Sequence, residues 1–306
     1  MSKTIFLFPG QGAQYVGMGK ALADSFKPAK ELLEKADDVL GFSISKLMAE
    51  GPEDALKSTD NTQPALFVTS MMVMELLKSE GIACDMVAGH SLGEYSAICA
   101  AGGFSFEDGL RLVRVRGTLM ASAGEKNPGS MAAVIGLDEA QILELCKEVA
   151  SEGTVVPANF NCPGQIVVSG EVNAVKKLVE NCAAKNIRAV PLAVSGAFHS
   201  PLMQFAQAGL SEAIARTKFN DLRVPLIANV TSKPVTSGKE IPELLVRQLV
   251  SPVRWNQSMN EAISLGVTRG VEVGAGHVLM GLMRKISRDV KVTPVETADA
   301  VAALKA

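Results

Sequence analysis

Metal-ligand spacing is missing from this 306-residue chain. Its three His stand far apart at positions 90, 199 and 277, and no Cys-x-x-Cys pair occurs, so no zinc-type cluster is spelled out. The five Cys are odd in number and irregularly placed at 84, 99, 146, 162 and 182, which reads as free buried thiols of a reducing compartment. No basic block is present and the net charge is −2, which argues against a nucleic-acid partner. An acidic partner would have to dock on a local basic patch. No apolar run approaches the ~20 residues of a membrane helix. The apolar Thr4–Phe8 is too short for a signal core and runs into Pro9-Gly10. The expectation is a cytoplasmic protein without a metal and, as a guess, a monomer. There is also no internal repeat and no low-complexity tract.

What is present suits a globular protein with a sizeable core: 47% hydrophobic and 20% charged residues. Thr4–Phe8 reads as a buried strand stopped by Pro9 and Gly10. Helical patterns over 28–40 and 64–79 lead to a second strand, Asp85–Ala88, then to helices over 94–101 and 106–122. A different order follows, with strands at Met131–Ile135, Thr154–Ala158, Gln165–Ser169 and Ile187–Val194. Helices Glu139–Ala150 and Val172–Lys185 are interleaved with them. That order, βαββαβ, is ferredoxin-like and able to form its own core. Gly124 and Gly129-Ser130 precede it and Ser195-Gly196 follow it, so it reads as an insertion: a core of residues 1–126 and 197–306, interrupted by 127–196. Beyond it come a helix over 200–216, a strand Val224–Val230, helices near 242–250 and 255–265, a strand Val271–Val273, a helix over 277–287, and a last strand Val290–Thr293 stopped by Pro294. Alternating strands and helices outside the insertion predict a mostly parallel α/β sheet covered on both faces.

Gly89-His90-Ser91-Leu92-Gly93 fits G-x-S-x-G, between an apolar strand and a helix-compatible run. Such a Ser sits on a strained strand-to-helix turn, which small flanking residues permit. The following helix points its first N–H groups at a developing oxyanion. The base must then be a His brought near in the fold. His199, in the loop Ser195–Pro201 that opens a helix, is the best placed. His90 adjoins the Ser, so its side chain should splay away from the hydroxyl, either to support the site from behind or to contact the leaving group. His277, after Gly274-Ala275-Gly276, reads as a helix-end residue. A triad acid between 91 and 199 would have to come from the inserted unit, a poor source. A Ser–His dyad with a backbone carbonyl fixing the tautomer is preferred.

The helix over 106–122 carries three Arg. At about 100° per residue, Leu112, Val113, Leu119 and Met120 all fall within about 60° of Arg116, while Arg111 and Arg114 fall opposite and read as solvated. A buried guanidinium needs a partner. Either a carboxylate-bearing substrate takes it in bidentate fashion, or a protein carboxylate makes a structural ion pair, or the side chain snorkels to solvent.

Together these residues resemble the malonyl-CoA:acyl carrier protein transacylases of fatty-acid synthesis, over essentially the whole chain. The resemblance rests on Phe8-Pro9-Gly10-Gln11-Gly12-Ala13-Gln14, on the elbow followed by Glu94, and on Val113-Arg114-Val115-Arg116-Gly117. It continues through Ala197-Phe198-His199-Ser200 and Gln248-Leu249-Val250-Ser251-Pro252-Val253-Arg254-Trp255. It implies a hydrolase-like, mostly parallel core with a ferredoxin-like insertion. It implies that Ser91 is acylated, that His199 is the base, and that the Gln248 carbonyl takes the His199 N–H. Gln11 and Leu92 amides would form the oxyanion hole. Arg116 would clamp a malonyl carboxylate, with Gln63, His90 and Asn159 lining or bordering the site. Phe198 before His199 marks malonyl-type members, its ring crowding an added α-methyl. Gly274-Ala275-Gly276-His277 departs from the usual family loop, so no role carries over to it. The implied reaction is ping-pong, from malonyl-CoA to the phosphopantetheine thiol of holo acyl carrier protein. Both are substrates, and no bound cofactor is implied. A serine thioesterase or other hydrolase would share the elbow and base, and a polyketide-pathway malonyltransferase would share every residue named.

Overall fold

The computed structural model describes residues 2–194 and 196–305; Ser195, taken above as a flank of the inserted unit, lies outside them. Among the described residues ten strands fall into two sheets: β1 (Lys3–Phe8), β2 (Met86–Gly89), β3 (Gly129–Ile135), β4 (Val155–Cys162), β5 (Gln165–Glu171), β6 (Arg188–Pro191), β7 (Leu226–Ile227), β8 (Pro234–Val235), β9 (Val267–Val273) and β10 (Lys291–Val295). The larger sheet runs β10-β9-β1-β2-β7-β8. It is parallel except for the terminal β7–β8 pair.

The short apolar strand at the N-terminus explains why this sheet has two covered faces. In β1 the side chains alternate. Phe6 and Phe8 join the cluster built on the helices Thr59–Ser79 and Phe106–Lys126. Ile5 and Leu7 join the cluster that contains Trp255, Met259 and Met283 on the other side. Each of the four is at most 1% exposed, as a central parallel strand requires.

The second sheet runs β4-β5-β3-β6 and is antiparallel throughout. With its helices Glu139–Glu148 and Val172–Ala184 it has the ferredoxin-like order. Ile142, Leu145, Val168 and Leu178 form part of its separate core. It is stitched to the larger sheet's side by a bridge between Asn159 and Val253, with Phe160 N–H donating to the Val253 carbonyl and Val253 N–H to the Ala158 carbonyl, both at 2.9 Å. That stitch brings β4 beside the elbow.

Two prolines behave differently from their expectation. Pro294 does not stop the last strand but lies within β10, paired opposite Glu272. β10 is an edge strand, where a missing N–H is tolerated. Pro64 does not open its helix, which begins five residues earlier at Thr59. A proline inside a helix leaves the carbonyl four residues back without a donor. Here that carbonyl is Asp60, and Arg114 Nη1 donates to it at 2.6 Å. The same guanidinium also meets Asn61 Oδ1 at 2.8 Å and the Asp60 carboxylate at 3.2 Å. Arg114 is thus half-buried and occupied, not a solvated charge; only Arg111 is exposed, beside Asp108. The expected strand over 224–230 shrinks to the two residues of β7, and the helix over 200–216 opens with a 3-10 turn, Pro201–Met203, capped by the Ser200 hydroxyl.

Candidate active site

The elbow forms where β2 reaches the carboxyl edge of the larger sheet and turns into the helix Gly93–Ala100. Ser91 sits there with φ of 53°, a left-handed conformation that an L-residue holds only when its surroundings impose it. The flanking glycines are dictated by space. A Cβ on Gly89 would stand 1.9 Å from the Gly93 carbonyl carbon, and one on Gly93 would stand 2.0 Å from the Phe8 carbonyl oxygen. The turn can close against β1 only without those carbons.

His199 arrives from the loop after the inserted unit, also left-handed at φ 58° and buried. Its Nε2 lies 2.7 Å from Ser91 Oγ. Its Nδ1 faces two backbone carbonyls, Gln248 at 3.0 Å and Ser251 at 3.2 Å. Carbonyls only accept, so Nδ1 carries the proton and Nε2 presents its lone pair to the serine hydroxyl. Burial, and next the Arg116 charge, push the His199 pKa down to about 3, so the ring rests neutral.

Arg116 is 1% exposed, in the apolar stripe where the helical wheel places it. Its Nη1 donates to Gln63 Oε1 at 2.8 Å, and its Nη2 to Gln248 Oε1 at 2.9 Å and to Ser91 Oγ at 3.1 Å. The Tyr95 ring lies against it at 5.4 Å. Among the described residues no carboxylate forms an ion pair with this guanidinium. Burial accordingly lowers the Arg116 pKa.

Of the residues assigned to the site from the sequence, all but Gln248 line one cleft: Gln11, Gln63, His90, Ser91, Leu92, Arg116, Asn159, Phe198 and His199, joined by Met120, Met131, Leu192 and Val194. Its free space is about 100 Å³. Gln248 lies behind the cleft, holding His199 by its carbonyl and Arg116 by its side chain. The Gln11 side chain is tied to the Thr59 hydroxyl at 2.6 Å. Among the described residues no protein acceptor takes the Gln11 or Leu92 backbone N–H. His90 does turn away from the nucleophile, to Asn161 Oδ1 on β4 at 2.9 Å and against Trp255. His277 is exposed at the start of the helix Val278–Ile286, away from the cleft.

Three residues of the surrounding scaffold were not singled out from the sequence: Glu94, Asn161 and Asn229. Asn229 Oδ1 accepts the Ser91 N–H at 2.8 Å, and its Nδ2 donates to the Gly89 carbonyl at 2.7 Å. Glu94, 1% exposed, accepts from the Asn229 N–H at 2.7 Å and from Gln248 Nε2 at 2.5 Å. Burial raises the Glu94 pKa to about 7, against the lowering effect of those two donors and of Arg116.

Residues 5–305 match the family model described as "Acyl transferase domain". The malonyl CoA-acyl carrier protein transacylase of Bacillus subtilis (strain 168) is 45% identical over 98% of this chain and 96% of its own length. The chain belongs to the malonyl-CoA:acyl carrier protein transacylase family. Solved structures of this family superpose closely. An acyl-carrier-protein S-malonyltransferase from Bartonella henselae gives a TM-score of 0.95 at 44% identity, covering 99% of this chain and 98% of that one. A malonyl-transacylase in complex with its holo type II PKS acyl-carrier protein gives 0.96 at 39% identity, covering 99% of both chains. The mostly parallel sheet with its antiparallel second sheet is therefore the transacylase fold. Among the described residues no helix is long and apolar enough to cross a membrane.

Proposed function

We propose that this chain moves a malonyl group from malonyl-CoA to the phosphopantetheine thiol of holo acyl carrier protein for fatty-acid biosynthesis, through an ester on Ser91. The observation that carries this reading is Arg116: a buried guanidinium that no carboxylate among the described residues pairs with directly, 3.1 Å from the serine oxygen. A malonyl thioester bound at Ser91 presents its free carboxylate to that charge, in the bidentate manner guanidinium favours. The free space of about 100 Å³ is on the scale of a small acyl group.

Ser91 Oγ attacks the thioester carbonyl while His199 Nε2 takes its proton. The oxyanion forms against the Gln11 and Leu92 amides, which have no other acceptor to leave. The C–S bond breaks and the proton passes to the CoA sulfur. In the second half the carrier's thiol gives its proton to His199, its sulfur attacks the malonyl ester, and the proton returns to Ser91 Oγ. Phe198 closes the acyl side against an α-methyl branch, while Gln63 and Gln248 steer Arg116. Asn159 and His90 border the thioester from the β4 side. Residues 1–126 and 197–306 are taken as the catalytic core and 127–196 as the inserted unit that supplies Asn159. The chain is proposed to work as a cytoplasmic monomer with no bound metal or cofactor.

The test is intact mass after brief exposure to malonyl-CoA. A malonyl adduct is expected on the wild type, absent from Ser91→Ala, and discharged by holo carrier protein. Free malonate accumulating without a carrier would replace this reading by a hydrolase. Discharge to a polyketide carrier but not to a fatty-acid carrier would move the chain to that pathway.

The low pKa of His199 adds a pH prediction. Protonated His199 is no base, so activity is lost as pH falls through its pKa. The limb of kcat/KM set by His199 should lie below the ordinary imidazole value of about 6.5, distinct from the one near 7 where the Glu94 carboxylate takes up its proton. Removing the neighbouring positive charge in Arg116→Ala raises the His199 pKa, so its limb should move to higher pH, read with acetyl-CoA as donor. A limb that stays in place would mean that Arg116 does not act on the base.

A further inference from the structure

We infer that Glu94 and Asn229 are positioning residues for this transfer: through one buried network they hold the nucleophile, the base and the acyl clamp in a single frame. The inference rests on the malonyl-transfer reading above and adds residues that touch neither substrate nor reacting atoms.

The elbow has two backbone groups that its own turn leaves without a strand or helix partner, the Ser91 N–H and the Gly89 carbonyl. Asn229, 138 residues away, takes both with its one amide. Ser91 is thereby pinned on either side of its strained φ, which fixes where Oγ points. Asn229 is in turn held by its own N–H on Glu94 Oε1, so the Glu94 carboxylate stands one step behind the nucleophile.

The other oxygen of the same carboxylate holds Gln248. Gln248 Nε2 donates to Glu94 Oε2 and, at 2.8 Å, to the Ser91 carbonyl. That leaves Gln248 Oε1 only one orientation, toward Arg116 Nη2. An amide polarised between a carboxylate and a guanidinium is a stronger donor and acceptor than an isolated one. Glu94 therefore sets which way the Gln248 amide faces, and Gln248 both receives the His199 N–H on its carbonyl and steers the clamp. The other titratable groups around Glu94 are Arg116 and Tyr95. Tyr95 is buried beside Arg116 and keeps its phenol proton, its pKa pushed up to about 12 mainly by burial.

Every donor on Glu94 needs an acceptor, and a carboxylate supplies two where an amide supplies one. Glu94→Gln turns an NH2 toward either the Asn229 N–H or Gln248 Nε2. The first loosens the elbow; the second allows the Gln248 amide to flip and presents N–H groups to Arg116. Asn229→Ala loosens the elbow alone, because among the described residues Asn229 makes no hydrogen bond to Arg116 or Gln248.

The two variants should separate. Single-turnover acylation by malonyl-CoA, followed by intact mass, is expected to fall on the order of 100-fold in both, the scale of a small misplacement of reacting groups. The preference for malonyl-CoA over acetyl-CoA should drop several-fold in Glu94→Gln and stay at the wild-type value in Asn229→Ala. In Glu94→Gln a purely structural loss would lower both donors alike and move no ratio; in Asn229→Ala it would lower the melting temperature, whereas a misplaced Ser91 Oγ lowers kcat with KM and the melting temperature kept. Folding is checked by thermal melting, and if Glu94→Gln does not fold, Glu94→Asp should show the same direction at smaller size. Wild-type acylation and wild-type preference in a folded Glu94 variant would overturn the inference, as would wild-type acylation in Asn229→Ala. A wild type that forms no malonyl adduct would instead overturn the function proposed above.

Discussion

Arg116→Ala should lose malonyl transfer and gain acetyl transfer. In the native cleft the guanidinium is desolvated and is met by neutral amides from Gln63 and Gln248, not by a counter-ion. Taking away one partner of a buried charge pair costs about 2–5 kcal/mol. At 1.4 kcal/mol per tenfold, that is a loss of roughly 30- to 4,000-fold in kcat/KM for malonyl-CoA. Acetyl-CoA behaves oppositely. Its methyl group leaves Arg116 buried and unpaired, and deleting the arginine removes that penalty. Arg116→Lys should fall between them, keeping the charge but losing the fork that binds both carboxylate oxygens. Competition between the two donors, scored by adduct mass, measures the switch directly. An Arg116→Ala protein that still prefers malonyl would show that the substrate carboxylate is held elsewhere.

What made Arg116 legible in the sequence was contrast: a charge in the middle of an apolar stripe has no ordinary explanation. The elbow was legible for a similar reason, since two glycines around a serine between a strand and a helix satisfy a packing demand that the structure shows at 1.9 and 2.0 Å. The apolar run of β1 and the βαββαβ order are likewise local patterns, so the two sheets could be anticipated. Glu94, noted only as the residue that follows the elbow, received no role because an acid in the first turn of a helix is where the helix dipole favours one, and nothing local distinguishes a buried carboxylate there from an exposed one. Asn229 and Asn161 offer no spacing at all, because each reaches its partner only after the chain has crossed the sheet or the insertion has folded back. Arg114 was misplaced for a related reason. Its partner is a carbonyl freed by Pro64, and that vacancy exists only once the helix starting at Thr59 is formed.

The second large effect concerns the base. His199→Ala should slow Ser91 acylation by about 10²–10⁴-fold, the usual contribution of a positioned general base. Substrate binding should change far less, since His199 makes no part of the Arg116 clamp. The acylation half-reaction, followed by adduct mass under single turnover, is the measurement. Among the described residues no carboxylate takes the His199 N–H: Nδ1 is held by the Gln248 and Ser251 carbonyls, which no side-chain substitution removes, so the loss expected in Glu94→Gln comes through the elbow and the Gln248 amide and not through a missing triad acid. The arrangement also narrows what a failure would mean. Besides His199, the side-chain group that reaches Ser91 Oγ is Arg116 Nη2, and a guanidinium remains protonated and cannot accept the hydroxyl proton. If His199→Ala acylated at the wild-type rate, the proton would have to leave through solvent, and Ser91 would be activated by the oxyanion donors and the arginine field without a base.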